Sequence, residues 1–256
     1  MVSSRIVKLE DLKQGIRECK KCRLWETRIN ALPGEGNYNT KVMLVAQAPG
    51  ENEDREGKMF IGPSGKKFDE LLQKAGVSRQ EIYVTNLIKC MLPKYRKPKQ
   101  DKIQTCAQHL NEEVKLINPS VIATLGYYAT RYIFNKFHIH IPNAKPNLKK
   151  YGTLFLADKR KILPLRHPAA LLYNDFISEE MTKNYRKLRT LMADCKWFMC
   201  CPMKRFFEEG RLQKRWIELY CKGDWMSCER YHMEDRGEPH HDWMLPDGSL
   251  DESLRE

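Results

Sequence analysis

Residues 42 to 65, V-M-L-V-A-Q-A-P-G-E-N-E-D-R-E-G-K-M-F-I-G-P-S-G, set carboxylates and an aromatic ring directly after four apolar residues. Glu51, Glu53 and Asp54 are groups that can orient a water or offset a developing positive charge, and Phe60 offers a flat face to a planar ligand. Val42 to Val45 reads as a parallel strand buried on both faces, and Pro49-Gly50 ends it. The acidic loop, with Gln47 at its start, therefore lies at the carboxyl edge of a sheet, where open α/β folds bind ligands. Taken alone, such a loop is equally a polar cap for the next helix. Its weight depends on whether other strands deliver matching groups to the same edge.

Two of them do. Tyr83 to Ile88 (Y-V-T-N-L-I) is strand-like, is introduced by Ser78-x-x-Glu81 as a capping box or turn, and contains Asn86. Lys161 to Arg166 (K-I-L-P-L-R) leads into His167-Pro168 and then Ala169 to Tyr173. A buried strand asparagine must satisfy both ends of its amide, as a structural tie or as a reader of a ligand with paired donor and acceptor. His167 is either a solvent-facing loop residue or a proton-handling group at the same edge.

The nine cysteines fall into two sets. Cys19-x-x-Cys22 follows a short amphipathic helix with Leu9, Leu12 and Ile16 on one face, Cys90 follows the Asn86 strand, and Cys106 sits at the next helix. Four thiolates from separated segments can enclose one metal centre, and at this level an iron–sulfur cluster and a four-cysteine zinc site look alike. Buried, unliganded Cys90 and Cys106 are the plainer alternative. In a reducing compartment disulfides are disfavoured, which leaves metal ligation as the leading use of so many cysteines.

Charge narrows the partner. The formal net charge of +12 is uneven: residues 191 to 256 carry 10 Lys+Arg against 14 Asp+Glu, while residues 1 to 190 carry 35 against 19. The net charges are −4 and +16, so a polyanion fits the first three quarters and not the tail. Lys94-Tyr95-Arg96-Lys97-Pro98-Lys99, a basic run with an aromatic inside it, points to nucleic acid, with Lys94, Arg96 and Lys97 as phosphate contacts. No stretch approaches the ~20 apolar residues of a membrane span and no apolar signal core opens the chain, so a cytoplasmic protein is expected.

Cys-x-x-Cys, A-Q-A-P-G-E-N-E-D, G-K-M-F-I-G-P-S-G, Y-V-T-N-L-I-K-C, a further Cys, V-I-A-T-L-G and R-H-P-A-A-L-L occur in that order. This series, over about residues 15 to 190, resembles the type-4, thermophile-type, iron–sulfur branch of the uracil-DNA glycosylase superfamily. The resemblance implies an α/β fold, a three-layer α/β/α sandwich with a four-stranded parallel sheet. It implies one [4Fe–4S] cluster on Cys19, Cys22, Cys90 and Cys106, and a base-excision repair enzyme that flips uracil out of DNA and hydrolyses its N-glycosidic bond. The expected partner is uracil-containing DNA, single- or double-stranded, met by a monomer. Two departures stand out. The first motif in this family usually reads G-E-A-P-G, whereas here Ala46-Gln47 replaces Gly-Glu, and Leu92 to Pro98 replaces a more usual R-P-P run.

By motif position Gln47, Ala48, Phe60 and Asn86 would bind uracil, and Glu53 and His167 would act on the bond. The chemistry agrees. An asparagine can accept from uracil N3–H and donate to O4, while cytosine presents the opposite pattern. Bond breaking needs negative charge or an oriented water beside an oxocarbenium-like sugar, for which Glu53 is preferred over Glu51 and Asp54, and a donor to O2 of the leaving anion, for which His167 is the candidate. Leu171 and Leu172 could wedge into the gap left by the extruded base or bury as the next turn. A noncatalytic or altered-specificity iron–sulfur DNA-binding member of the superfamily is the alternative, with Gln47 as its marker.

The chain divides at about residue 194 into a glycosylase domain (1–194) and a Cys-rich extension (195–256). Ile177 to Cys200 reads as a long closing helix. Four of the five tryptophans and five of the nine cysteines follow residue 190, the composition of a small module that needs a metal staple, zinc or iron–sulfur. Cys201, Cys221 and Cys228 look like three ligands, with Cys200 as the fourth, or else Cys195 or His232.

Overall fold

Alternation of buried side chains between two faces determines the layers. The structure, a computed structural model, describes residues 2–93, 97–140, 151–157 and 160–255. Four parallel strands, β2 (Val42–Ala46), β3 (Tyr83–Asn86), β4 (Val121–Leu125) and β6 (Arg160–Leu165), lie in the order β3-β2-β4-β6. Short antiparallel strands β1 (Glu35–Gly36) and β5 (Phe155–Ala157) close the two edges, so the sheet has six strands. The four-stranded expectation is corrected to this extent: the parallel core is as expected, and its two exposed edges are each paired by a few antiparallel residues.

Met43 and Val45 point into one apolar layer, and Val42, Leu44 and Ala46 into the other, as the two-residue period of a strand requires. The first layer is covered by α1 (Val2–Arg17), α4 (Gln100–Ile117) and α5 (Tyr127–Lys136), which bury Leu9, Ile16, Leu110, Val114 and Ile133. The second is covered by α3 (Pro63–Ala75) and α6 (Ser178–Thr190), through Phe68, Leu71, Leu72, Met181, Tyr185 and Leu188. This is the expected α/β/α sandwich. A short helix α2 (Glu51–Glu56) carries the acidic loop, and the Ser78–Glu81 capping box is present on a single 3₁₀ turn before β3.

The closing helix is shorter than its sequence suggests. It ends at Thr190, whose hydroxyl donates to Lys187 O at 2.8 Å, and the chain then turns so that Cys195 N–H donates to Cys221 O at 2.7 Å. Beyond it, α7 (Pro202–Glu208) and α8 (Lys214–Trp216) flank a third apolar cluster of Met203, Phe206, Leu212, Ile217, Leu245 and Leu254, and α9 (Glu229–Arg236) follows. No residue of that cluster belongs to the two layers of the sheet. Polar ties join tail and sandwich: Lys161 Nζ to Lys222 O (2.8 Å) and Glu218 (3.1 Å), Lys187 to Asp224 (2.5 Å), and Trp225 Nε1 to Ala193 O (3.1 Å). Among the described residues no helix is long and apolar enough to cross a membrane.

Candidate active site

The carboxyl edges of β2, β3 and β6 release Gln47, Asn86 and His167 toward one side of the sheet, since parallel strands all end together there. An open cleft at this edge is lined by Gln47, Ala48, Glu53, Ser64, His167 and Leu172, with others from the same loops. Phe60 and Asn86 are buried and do not line it; they adjoin it through neighbours. The Phe60 ring stacks on Phe68 with centroids 4.4 Å apart and lies 6.1 Å from the His167 ring. Asn86 Nδ2 donates to the Met59 sulfur at 3.2 Å, a weak acceptor that holds the amide without competing strongly for it.

The three carboxylates separate cleanly. Glu51 is exposed and pairs with Arg55 at 3.2 Å. Asp54 is buried and accepts from the backbone N–H groups of Ile29 (2.9 Å) and Asn30 (3.2 Å), so it ties two loops together. Glu53 alone is both buried and part of the cleft wall. Its Oε1 accepts from Ile61 N–H (2.9 Å) and Gly62 N–H (2.8 Å), which anchors the loop bearing Phe60. Its Oε2 approaches Gly50 so closely that a Cβ there would sit 2.5 Å away, which explains the glycine after Pro49.

His167 caps the 3₁₀ turn Pro168–Leu172, and its Nδ1 accepts from Ala169 N–H at 3.2 Å. The proton of the neutral ring therefore sits on Nε2, leaving a donor for a ligand. Burial pushes the His167 pKa down to about 4, with the Glu53 carboxylate only partly countering it. The ring is neutral near pH 7, the state that donates one hydrogen bond without adding a charge.

Several residues that the sequence did not single out position this site. Phe60 has a positive φ of 53°, and Arg79 holds it there, donating to Met59 O (2.9 Å) and Phe60 O (2.5 Å) while pairing with Asp69. A Cβ at Gly65 would meet Phe60 O at 2.1 Å, so the following helix packs on this loop only through glycine. Behind β3 the Lys89 ammonium meets Glu113 (2.5 Å), Thr85 Oγ1 (2.6 Å) and Asn86 O (2.8 Å). No motif marks this pair. In the sequence Lys89 and Glu113 read as ordinary surface charges.

Of the two leucines, only Leu172 is exposed at the cleft. Leu171 is 7% exposed and packs in the second layer, where the one-turn helix places it against α3, whereas Leu172 is 40% exposed on the cleft rim. The wedge assignment of Leu171 is therefore corrected. Lys97 is exposed, while Lys94 and Arg96 lie outside the described residues.

Residues 33–190 match the family described as Uracil DNA glycosylase superfamily. The chain belongs to that superfamily. It is 37% identical over 185 residues to the type-4 uracil-DNA glycosylase of Sulfurisphaera tokodaii, covering 72% of this chain and 84% of the relative. It is 38% identical over 187 residues to that of Saccharolobus solfataricus, covering 72% and 87%. A type-5 uracil-DNA glycosylase of Pyrobaculum aerophilum is more distant, 25% identical over 186 residues, with 67% and 80% covered. The family match stops before the first cysteine of the tail, so this superfamily member carries additional structure beyond it.

The four N-terminal cysteines lie around one pocket. Cys19, Cys22, Cys90 and Cys106 border it with Arg28, Lys89 and His109. Arg28 Nη1 donates to Cys90 Sγ at 3.0 Å, Lys89 N–H to Cys106 Sγ at 3.2 Å, and His109 Nε2 lies 3.3 Å from Cys19 Sγ. Among the described residues no three Cys, His, Asp or Glu side chains converge on a point suited to a single metal ion. Thiols that frame a space instead of meeting, with cationic and N–H donors aimed at the sulfurs, fit a polyatomic cluster of net negative charge.

Proposed function

We propose that this chain is a monofunctional uracil-DNA glycosylase, which extrudes uracil from DNA and hydrolyses its N-glycosidic bond to leave an abasic site. The observation that carries the reading is the pairing of a neutral His167, its Nε2–H free, with a buried Glu53 on the wall of one cleft. Glycosidic cleavage generates cationic sugar and anionic base together, and this pair offers one group to each. Glu53 Oε2 orients water and offsets the sugar's charge, while its Oε1 stays bound to the Phe60 loop. His167 donates to uracil O2. Asn86 reads N3–H and O4, with Phe60, Gln47 and Ala48 completing the base pocket, and Leu172 fills the gap in the stack.

Cys19, Cys22, Cys90 and Cys106 would hold a [4Fe–4S] cluster, which when bound supplies a structural tie between α1 and the loop after β3. The basic face, including Lys97, is the DNA-facing surface, and uracil-containing DNA is the partner. The chain is expected to act as a monomer in the cytoplasm, and residues 1–194 are the unit that performs the chemistry.

The test is a uracil-containing oligonucleotide incubated with the protein and then treated with alkali, which cuts at abasic sites. Strand cleavage at uracil is expected, and Glu53→Gln should lower single-turnover release by about 10²- to 10⁴-fold with DNA affinity retained. An intact strand with the unsubstituted protein would defeat the reading in favour of a noncatalytic DNA binder.

Two further outcomes follow from the geometry. Uracil release should show no acid limb from His167 until pH approaches about 4. Because the unfolded residue titrates near 6.5, its contribution to stability is full above that value and is lost as pH falls toward about 4. A limb near 6.5 that disappears in His167→Ala would show the ring to be ordinarily solvated. Leu172→Ala should slow release from duplex more than from single-stranded DNA, whereas Leu171→Ala should cost about 2–4 kcal/mol of stability, read by urea unfolding.

A further inference from the structure

The five tail cysteines are not equivalent. All five, Cys195, Cys200, Cys201, Cys221 and Cys228, border a common pocket walled by Trp197, Phe198, Met203 and Trp225. Cys221 and Cys228 are buried, and Cys195 and Cys201 are partly so. Cys200 is exposed and its thiol donates to Trp197 O at 3.3 Å, while His232 Nε2 is occupied at Met226 O, 2.9 Å away. Of the fourth ligands that the sequence left open, Cys200, Cys195 and His232, partial burial favours Cys195.

Arg230 supplies the independent observation. It is 2% exposed and lines the same pocket. Its Nη1 donates to the carbonyls of His241, Asp242 and Met244 at 2.8 to 3.1 Å, but Nε and Nη2 have no partner among the described residues, and neither does the buried Trp197 Nε1. A buried guanidinium with two orphaned N–H donors beside four neutral thiols is costly. Beside four thiolates and a metal centre, whose sum is anionic, it becomes a counter-ion with acceptors in reach.

We propose that Cys195, Cys201, Cys221 and Cys228 bind a second [4Fe–4S] cluster, with Arg230 as its buried hydrogen-bonding counter-ion. A cluster is favoured over zinc because these thiols, like the N-terminal four, frame a space and do not converge on a point. The tail requires it. Its own apolar core is small and includes Cys201 and Cys221 themselves, so closure of the segments falls to the shared group. The inference is independent of the glycosylase reading.

The test is metal and acid-labile sulfide analysis of the full chain, purified and iron-loaded without oxygen. Two clusters predict about eight iron and eight sulfide ions per chain. Cys221→Ser and Cys228→Ser should each halve both values, Cys90→Ser should remove the other half, and Cys200→Ser should change neither. Because a serine variant can fail by misfolding, the count on the unsubstituted protein decides by itself. About four iron with one zinc, about four iron with no other metal, or unchanged iron in Cys221→Ser would each overturn the second cluster. Halving by Cys200→Ser would overturn the ligand set.

Discussion

Asn86→Asp is expected to lower uracil release by about 10²- to 10³-fold and to narrow the preference for uracil over cytosine. The amide is buried at the end of β3 and, among the described residues, its Nδ2 is engaged only by the Met59 sulfur, so it can turn both its donor and its acceptor to a base. A carboxylate there accepts from N3–H but cannot donate to O4, and its charge opposes the anion that forms as the bond breaks. Toward cytosine the sign reverses, because a carboxylate can accept from the exocyclic amine. Lys89 is bonded to the backbone carbonyl of the same residue at 2.8 Å, which fixes the main chain while the side chain changes. Release should partly recover on acidification, when the introduced carboxyl takes up a proton and becomes a donor. Single-turnover rates on uracil and cytosine oligonucleotides across pH check this. Unchanged release with unchanged rejection of cytosine would remove Asn86 from base reading.

What the sequence disclosed and what it withheld have a common physical cause. Strands β2, β3 and β6 were legible because burial on both faces demands continuous apolar runs, and residues just beyond such runs necessarily share one sheet edge. Glu53 could be picked out by motif position, but its separation from Asp54 is a matter of helix phase. One carboxylate of α2 faces the cleft and the other the loop at Ile29. Leu171 and Leu172 differ in the same way, by a single step around a 3₁₀ turn, which no pattern of two adjacent leucines reveals. The edge strands β1 and β5 are too short to show a period. The end of α6 was hidden because residues 191 to 200 keep helical composition, while the turn is imposed by a long-range bond from Cys195 to Cys221.

Least legible of all was the buried ion pair that joins β3 to the cysteine pocket. Lys89 and Glu113 are 1% and 0% exposed, and the ammonium satisfies its donors on Glu113, Thr85 and the Asn86 carbonyl. Glu113 also accepts from Gly34 N–H at 2.8 Å, and its charge together with burial drives the Tyr83 hydroxyl far above its usual pKa. Lys89→Met keeps the length of the stem but leaves a carboxylate buried without its cation, which should cost about 3–5 kcal/mol. Replacing both partners by apolar residues should cost less than the single change, since no uncompensated charge is left. Lys89 N–H also donates to Cys106 Sγ and its neighbour Cys90 lines the same pocket, so Lys89→Met should reduce iron retention as well as the urea midpoint. The urea slope should stay unchanged, marking a loss of stability within the same folded state. A shift below about 1 kcal/mol would mean that the pair is not what holds β3 to α4.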